Sequence, residues 1–553
     1  MATRLPSDLS KVDPAQAWAP FEPSAAIPWN EKWIAHFYRR AAFGANATEI
    51  SRAKQDGFPK TLARIMAGEP DAASLLDVFT DAGRYLKSDL QIRVWWLALM
   101  LDGGHPLREK LTLFWHNHFA TSYAKVQRTQ LMLEQNLLLR QHSLGRFRPF
   151  LLAMSRDTAM LKWLDSNQNV VGAPNENFAR EVMELFALGV GHYTEKDIQE
   201  AARAFTGWHV DARTDADEDT FRFKPVLHDN GTKTVFGRTG NWNGDDIIAF
   251  CCDRPDCAKF LVSKLYAYLI SETRPPESLL TPLEERFRKS DYDIADLVRT
   301  LLSSRLFFSE HAYRKRVKWP VEYVLGAIRA AVPGRAPLGD LVDPLAKMGQ
   351  VLFAPPNVKG WRTGTDWLNS ATLLARNNFA ETVATGNWKQ TSVKNPGPPV
   401  AAATKTAVDD IAPADPLPRY VDFPEAGSSA VAGAAAAATF PTTPSVDGMR
   451  TVAVVPPRKP PPSAPPAPPP DAGFDVAAAL FKPPPNDVHE VVARMGAILY
   501  GEPISPSARA KIEKFLLDGK KTLAAKDLDN LAFRAKAREA LHALMCLPEY
   551  QLN

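Results

Sequence analysis

The sequence contains one pair of histidines whose spacing suggests a metal site. His116 and His118 stand one residue apart in the run WHNHF, and imidazole nitrogens are common ligands of zinc and iron. A spacing of two puts both rings on one face of a strand but on roughly opposite sides of a helix. Because the preceding residues have a helical pattern, joint coordination requires the helix to end near Trp115. We name His116 and His118 as candidate ligands of a divalent metal. In the alternative, one ring is hydrogen-bonded in the core and the other faces a cleft.

A dense group of polar side chains surrounds the start of a helix predicted from Pro174, a residue type suited to a first helical turn. Carboxylates in a protected cleft can serve as general acid and base. Glu176, Glu181 and Glu184 are the main acidic group. The candidates here are Asp165 and Glu176 for catalysis, and Asn175, Asn177 and Arg180 for binding. The alternative is a set of structural ion pairs, since Glu176 and Arg180 stand four residues apart, and Arg39, Arg40 and Arg203 are further possible partners.

Two later runs add further candidates. His228 and Asp229 are followed by Gly231 and Lys233. Glycine allows close approach of the backbone to a ligand, which suggests a ligand-binding loop. In this loop we name His228 and Asp229 as catalytic candidates and Lys233 as a candidate for binding an anion. A tight hairpin turn is the alternative. In the run KGW, Lys359 and Trp361 are binding candidates, because an aromatic face beside polar groups suits a sugar ring. The alternative, which we favour over a sugar site, is plain packing under a long loop.

The elements that must position these residues are mostly helical. Apolar residues recur at helical spacing from Trp33 onward, and the run from Ser88 to Leu101 is apolar on most sides, which is typical of a central helix. Short alternation predicts one small β-hairpin near Phe221–Phe236. The fold class is therefore mainly α. A large helical domain is expected over residues 29–385, after an extended or disordered N-terminus over residues 1–28.

The C-terminal third changes in composition. Residues 386–475 are rich in proline and alanine and poor in large apolar side chains, so they are predicted to be a disordered insertion. A helical segment over residues 476–553 is expected to pack on the main domain.

Composition narrows the function classes. The chain has 553 residues, 45% hydrophobic content and a formal net charge of +4. Basic residues are scattered, so nothing favours a nucleic-acid partner. Four cysteines are too few for a disulfide framework, and Cys251, Cys252 and Cys257 are predicted to be buried free thiols. No Walker loop, G-x-S-x-G elbow or H-E-x-x-H motif is present.

The sequence has neither a visible signal peptide nor an apolar run of transmembrane length. A cytoplasmic protein is expected, with export alongside a partner or a mis-set start codon as alternatives.

Five blocks follow one another along the chain: His36–Gly44, Phe114–Ala120, Pro174–Trp208, His228–Gly237 and Pro355–Leu374. In this order they resemble the bacterial family called domain of unknown function 1800. They span about Trp33 to Phe379, and the tail near Leu547–Leu552 resembles the family's usual ending. The resemblance implies a mostly helical bacterial protein, often encoded beside a partner related to sulfatases and phosphatases, and implies no settled activity.

Two hypotheses about function remain open. In the first, the WHNHF run, the Asn/Glu helix start and the His228–Lys233 loop form one polar cleft that hydrolyses a glycan or an anionic ester, with or without a divalent metal. In the second, the chain is a non-enzymatic partner or scaffold that works with a sulfatase/phosphatase-like protein.

Overall fold

A computed structural model describes residues 4–211, 219–331, 338–389, 480–481, 483–528 and 530–553. The chain divides into two compact units, and every described residue belongs to the unit formed by Met1–Pro399 and Asp471–Asn553. The fold is mainly α, as predicted. From residue 390 onward, the predicted proline- and alanine-rich insertion lies outside the described residues.

Ten helices form between Pro14 and Trp163. They are α1 Pro14–Trp18, α2 Glu31–Ala41, α3 Ala47–Ala67, α4 Ala72–Gly83, α5 Asp89–Asp102, α6 Pro106–His118, α7 Tyr123–Val126, α8 Thr129–His142, α9 Phe147–Ser155 and α10 Thr158–Trp163. Helix α5 is the central helix that its composition predicts, because Trp95 and Trp96 are completely buried. Helix α6 is also a core helix, begun by Pro106 in its first turn.

Nine further helices follow in chain order up to Thr385 among the described residues. They are α11 Glu176–Glu181, α12 Glu195–Phe205, α13 Gly244–Asp253, α14 Pro255–Leu269, α15 Glu277–Lys289, α16 Ile294–Ser303, α17 Pro320–Ala331, α18 Gly339–Lys347 and α19 Ser370–Thr385. The C-terminal helices are α20 Val488–Tyr500, α21 Pro506–Leu517, α22 Ala525–Leu528 and α23 Leu531–Met545.

Helix α11 does not end as an ordinary α-helix. Its last turn continues into a π-turn, Val182–Ala187, in which the Leu188 amide donates to Met183 O at 2.9 Å. Gly189, at a φ of +83°, then ends the helix. Such π-turns are uncommon and are frequent at functional sites, so this segment is the first structural pointer to a site.

The β-structure differs from the predicted hairpin. Strand β1, Trp208–Asp211, pairs antiparallel with β2, Thr220–Phe223, and β3, Lys233–Val235, pairs with β4, Arg238–Gly240. The two halves of the predicted hairpin thus belong to different two-stranded sheets. The local alternation identified strand residues correctly, but each strand pairs with a neighbour outside the predicted window.

Both ends of the described chain lie on the helical body. The N-terminus was expected to be extended or disordered, yet it includes α1, and the Phe21 amide donates to Ser303 O at 2.7 Å. At the other end, Tyr500 O accepts a hydrogen bond from Arg39 at 3.1 Å, and α23 packs along α19. Among the described residues, no helix is long and apolar enough to cross a membrane.

Candidate functional site

The two candidate metal ligands lie in separate aromatic surroundings at the end of α6. The His118 Nε2 lies 3.0 Å from Phe186 O in the π-turn. Because a carbonyl only accepts, His118 donates this hydrogen bond. Its other nitrogen, Nδ1, is buried without a partner in the described part of the chain. Burial holds the pKa of His118 well below its usual range, so the ring is neutral.

His116 is also a buried, neutral ring. It is 1% exposed and is surrounded by the rings of Trp96, Phe353 and Trp361. Neither ring nitrogen has a hydrogen-bond partner among the residues described, and burial lowers its pKa to about 3.

These surroundings do not fit a metal held by His116 and His118. The described residues contain no group of three or more His, Cys, Asp or Glu side chains that could hold one. The prediction of a metal at this pair therefore gains no support, because the helical geometry sends the two rings to different sides of α6.

The KGW loop docks directly on the end of α6. The Trp361 amide donates to Asn117 Oδ1 at 2.6 Å. Gly360 has a φ of +85°, and a Cβ there would lie 2.3 Å from the same Asn117 oxygen, so only glycine fits. Trp361 itself is 4% exposed. Its predicted role as a sugar platform gains no support, since its ring packs beside His116 in the interior.

Polar residues at the start of α11 make local hydrogen bonds that fix the helix end. Asn175 caps the helix by accepting the Asn177 amide at 3.0 Å, and Asn177 donates to Leu164 O at 3.3 Å. Both side chains thus have local structural partners. Asp165, before the helix, is paired with Lys125 at 2.7 Å.

Glu176 takes part in a surface ion-pair network. Arg180 lies 3.1 Å from Glu176 and 2.7 Å from Glu195, which begins α12. The hydrogen bonds that Arg180 donates to Glu195 raise the pKa of Arg180, so its charge is balanced by these two carboxylates. This arrangement matches the ion-pair alternative for Glu176.

A second group of ionisable side chains lies one turn further along the same helix. Burial and the neighbouring Glu184 raise the pKa of the half-buried Glu181, while Lys359 and Arg180 oppose that rise. Tyr193 donates to Glu184 at 2.7 Å, and burial together with this bond raises the pKa of the Tyr193 hydroxyl. Lys359 of the KGW loop therefore lies close enough to Glu181 for its charge to act on that carboxyl group. We call Glu181, Glu184, Tyr193 and Lys359 the carboxylate cluster.

The candidate side chains in the loop that carries His228 bond to other residues of the protein. His228 Nδ1 donates to Thr206 O at 2.8 Å. Arg203 holds both oxygens of Asp229, at 2.7 and 3.2 Å. Lys233 is fully buried and donates to Gly231 O at 3.0 Å. These contacts fix the loop to α12, and no direct contact joins it to the carboxylate cluster among the described residues.

Reasoning from the sequence missed three residues at this end of α6. Asn117 and Tyr193 lie within the recognised blocks, but nothing in their local pattern predicts their contacts. Lys264 of α14 lies over the Phe260 ring at 4.9 Å, and its charge acts on His118. Burial lowers the pKa of Lys264 to about 8. Only the folded arrangement places this lysine near α6.

Comparison with known proteins identifies a family but no activity. Neither curated proteins nor solved structures yield a match. One family model does match, and it covers residues 36–552, almost the whole chain. This chain therefore belongs to the family described as protein of unknown function (DUF1800).

Proposed function

We propose that this protein is a hydrolase that cleaves a glycan at the carboxylate cluster. One observation carries the proposal: Glu181 is half-buried, its pKa is raised by burial and by Glu184, and no described residue donates a hydrogen bond to it. A carboxyl group whose pKa is raised above its usual value holds its proton to higher pH, which suits a general acid.

The proposed reaction uses the two carboxylates differently. Glu181, in its protonated form, donates its proton to the oxygen of the departing sugar. Glu184 accepts a proton from the attacking water, while Tyr193 holds Glu184 in position. The glycosidic C–O bond breaks, water supplies the new C–O bond, and one proton is gained and one lost by the protein. No step requires a metal.

The charge of the region favours a glycan over an anionic ester. Among the described residues, Lys359 and Arg180 are the cations whose charges act on Glu181, and Arg180 is already paired with Glu176 and Glu195. A phosphate or sulfate ester would bring further negative charge to this pair of carboxylates and be repelled. Sugar hydroxyls, in contrast, can bond to Tyr193, Lys359 and the half-buried amide of Asn117.

Replacement of the proposed acid tests this function. We expect Glu181→Gln to fold normally and to lose about 10²- to 10⁴-fold in the release of reducing ends from a responsive polysaccharide, since that is the usual contribution of a general acid. Glu195→Gln is the matched control, because it removes a nearby carboxylate that also acts on Arg180 but lies outside the cluster. It should retain activity within a few-fold.

Two results would contradict the proposal. One is equal activity of Glu181→Gln and the wild-type chain. The other is a wild-type chain that releases no reducing ends from a broad panel of purified polysaccharides. The second result, combined with co-purification of a sulfatase/phosphatase-like protein, would favour the scaffold hypothesis.

A further inference from the structure

We infer that a cavity between the N-terminal segment and the residues that follow α16 binds an amphiphile, a molecule with an apolar body and an anionic head group. The cavity has a volume of about 910 Å³, which lies within the range of small-molecule sites. Its walls come from three stretches of the chain, within residues 4–7, 19–33 and 305–315. It shares no residue with the carboxylate cluster, so this inference is independent of the proposed hydrolase activity.

Hydrogen bonds hold the walls of this cavity together. The Arg305 amide donates to Ala19 O at 3.0 Å. His311 Nε2 lies 2.7 Å from Pro6 O, and because a carbonyl only accepts, His311 donates this hydrogen bond. The N-terminal wall is thus attached to the helical body at both of these positions.

The lining of the cavity is largely apolar. Phe21 and Phe308 are buried and stack with their ring centroids 3.9 Å apart. Leu5 and Ile27 also line the cavity but remain only half-buried. The apolar body of a ligand would remove their exposed surface from water, which is favourable. Exposed prolines extend the apolar lining, namely Pro6, Pro20 and Pro28.

Trp33 of α2 supplies a hydrogen-bond donor without a partner. Its side chain lines the cavity and is 6% exposed, and no described residue accepts a hydrogen bond from its indole N–H. Unlike the indole nitrogen of Trp361, which is fully enclosed, that of Trp33 keeps access to open space. A hydrogen bond from such a donor to an anionic oxygen is charge-assisted and therefore strong.

The charge beside Trp33 favours an anion. Lys32 Nζ lies 5.3 Å from the centroid of the Trp33 ring. The carboxylate of Glu502 lies 3.9 Å from this lysine, but it is also held by Arg314 at 2.9 Å and accepts a hydrogen bond from Tyr313. Because Glu502 is shared in this way, it balances the charge of Lys32 only in part.

The rim of the cavity adds an excess of positive charge. Lys315 is exposed there and has no ion-pair partner among the described residues. An anionic head group near Trp33 would be attracted by this excess, and salt would weaken the attraction. The lysine and arginine side chains of the lining are Arg4, Lys32, Arg305 and Lys315, against the two glutamates Glu22 and Glu310.

Calorimetric titration of the full chain with three ten-carbon compounds tests the inference. Decanoate, below its micellar concentration, should bind at least tenfold more tightly than decanamide, which is neutral, or decylammonium, which is positive. Acetate, which has the charge without the chain, should not displace decanoate. Equal binding of decanoate and decanamide, tighter binding of decylammonium, displacement by acetate or no binding of decanoate would overturn the inference.

Decyl phosphate identifies the head group. Tighter binding than decanoate assigns the site to a phosphate and weaker binding assigns it to a carboxylate, and both results support an anionic amphiphile.

Matched variants locate the binding. Lys32→Gln and Lys315→Gln should each weaken decanoate binding severalfold and leave decanamide binding unchanged. Lys54→Gln is the control, because it changes a lysine in an exposed ion pair with Glu31 outside the cavity, and it should affect neither compound. Trp33→Phe keeps an aromatic ring without the N–H, so it should weaken decanoate binding more than decanamide binding. Unchanged decanoate binding in both Lys32→Gln and Lys315→Gln would place the ligand elsewhere and contradict the inference.

Discussion

Burial shifts the pKa values of different side chains in this protein in opposite directions. Loss of solvation disfavours the charged form, so it lowers the pKa of a histidine and raises that of a carboxyl group. His116 and Asp157 are clear examples. Their effects on stability follow from whether the folded or the unfolded chain binds more protons at a given pH.

Replacement of His116 by phenylalanine should reduce acid sensitivity. The pKa of His116 is about 3 in the fold and about 6.5 in an unfolded chain. The unfolded state therefore binds more protons between these values, and the free energy of unfolding falls as the pH drops from about 6.5 to about 3. His116→Phe fits the aromatic surroundings and removes this dependence. Between pH 7 and pH 4.5, the free energy of unfolding measured in urea should fall by about 2 kcal/mol more in the wild type than in His116→Phe. An identical acid dependence in both proteins would contradict this.

Asp157 should show the opposite trend. It caps α10 by accepting the Met160 amide at 2.8 Å, and burial raises its pKa to about 7. The folded state binds more protons than the unfolded state between about pH 4 and 7, so stability falls as the pH rises through this interval. Asp157→Asn keeps an oxygen acceptor and cannot ionise. Its stability relative to wild type should therefore increase from pH 4 to pH 7 in urea unfolding, and a constant difference would contradict the assignment.

At the scale of elements, the site depends on contacts that hold the KGW loop against α6. Gly360→Ala must displace Asn117, because a Cβ there would lie 2.3 Å from Asn117 Oδ1. Gly172→Ala is the matched control, since Gly172 has a φ of +83°, close to the +85° of Gly360, and nothing lies within 4 Å of its Cβ position. Both variants carry backbone strain of about 1 kcal/mol or more.

The difference between these two variants measures the loop contact. We expect Gly360→Ala to lower the melting temperature further than Gly172→Ala and to reduce glycan hydrolysis, because Lys359 moves with the loop. Equal losses of stability in the two variants would show that the close approach to Asn117 contributes nothing.

At the scale of the whole molecule, buried charge links distant parts of the chain. Glu322 of α17 holds Arg316 at 2.6 Å and Lys110 of α6 at 2.5 Å, and it accepts from Asn553 at 2.8 Å. All of these side chains are buried. Loss of one partner from a buried charge pair is strongly destabilising, because the remaining charge has neither solvent nor a counter-ion.

Glu322→Gln should therefore lower the free energy of unfolding by about 3–5 kcal/mol. Asp343→Asn is the control, because it removes the carboxylate of an exposed ion pair with Lys347, which should contribute about 0–1 kcal/mol. Chemical unfolding of both variants measures the two costs. A small effect of Glu322→Gln would contradict the view that this network joins α6, α17 and the C-terminal residues.

The sequence predicts the helical class well because apolar periodicity is local information. Prediction from the sequence fails where residues in contact are distant from each other along the chain. Phe221 has the pattern of a strand residue, yet its strand pairs with β1 instead of β3. Glu181 was recognised as part of an acidic group, but its environment depends on Lys359, far along the chain. The burial of Trp361 and the contact between His118 and Phe186 likewise depend on tertiary packing, which spacing alone does not encode.

The pH dependence of glycan hydrolysis tests the central claim about Glu181 most directly. The charge of Lys359 lowers the pKa of Glu181, so Lys359→Gln should raise it. The alkaline limb of kcat/KM, which reports ionisation of the acid in the free enzyme, should then move to higher pH. Lys347→Gln, an exposed change on α18, controls for net charge and should leave the limb in place. A limb that stays fixed or moves to lower pH in Lys359→Gln would contradict Glu181 as the acid.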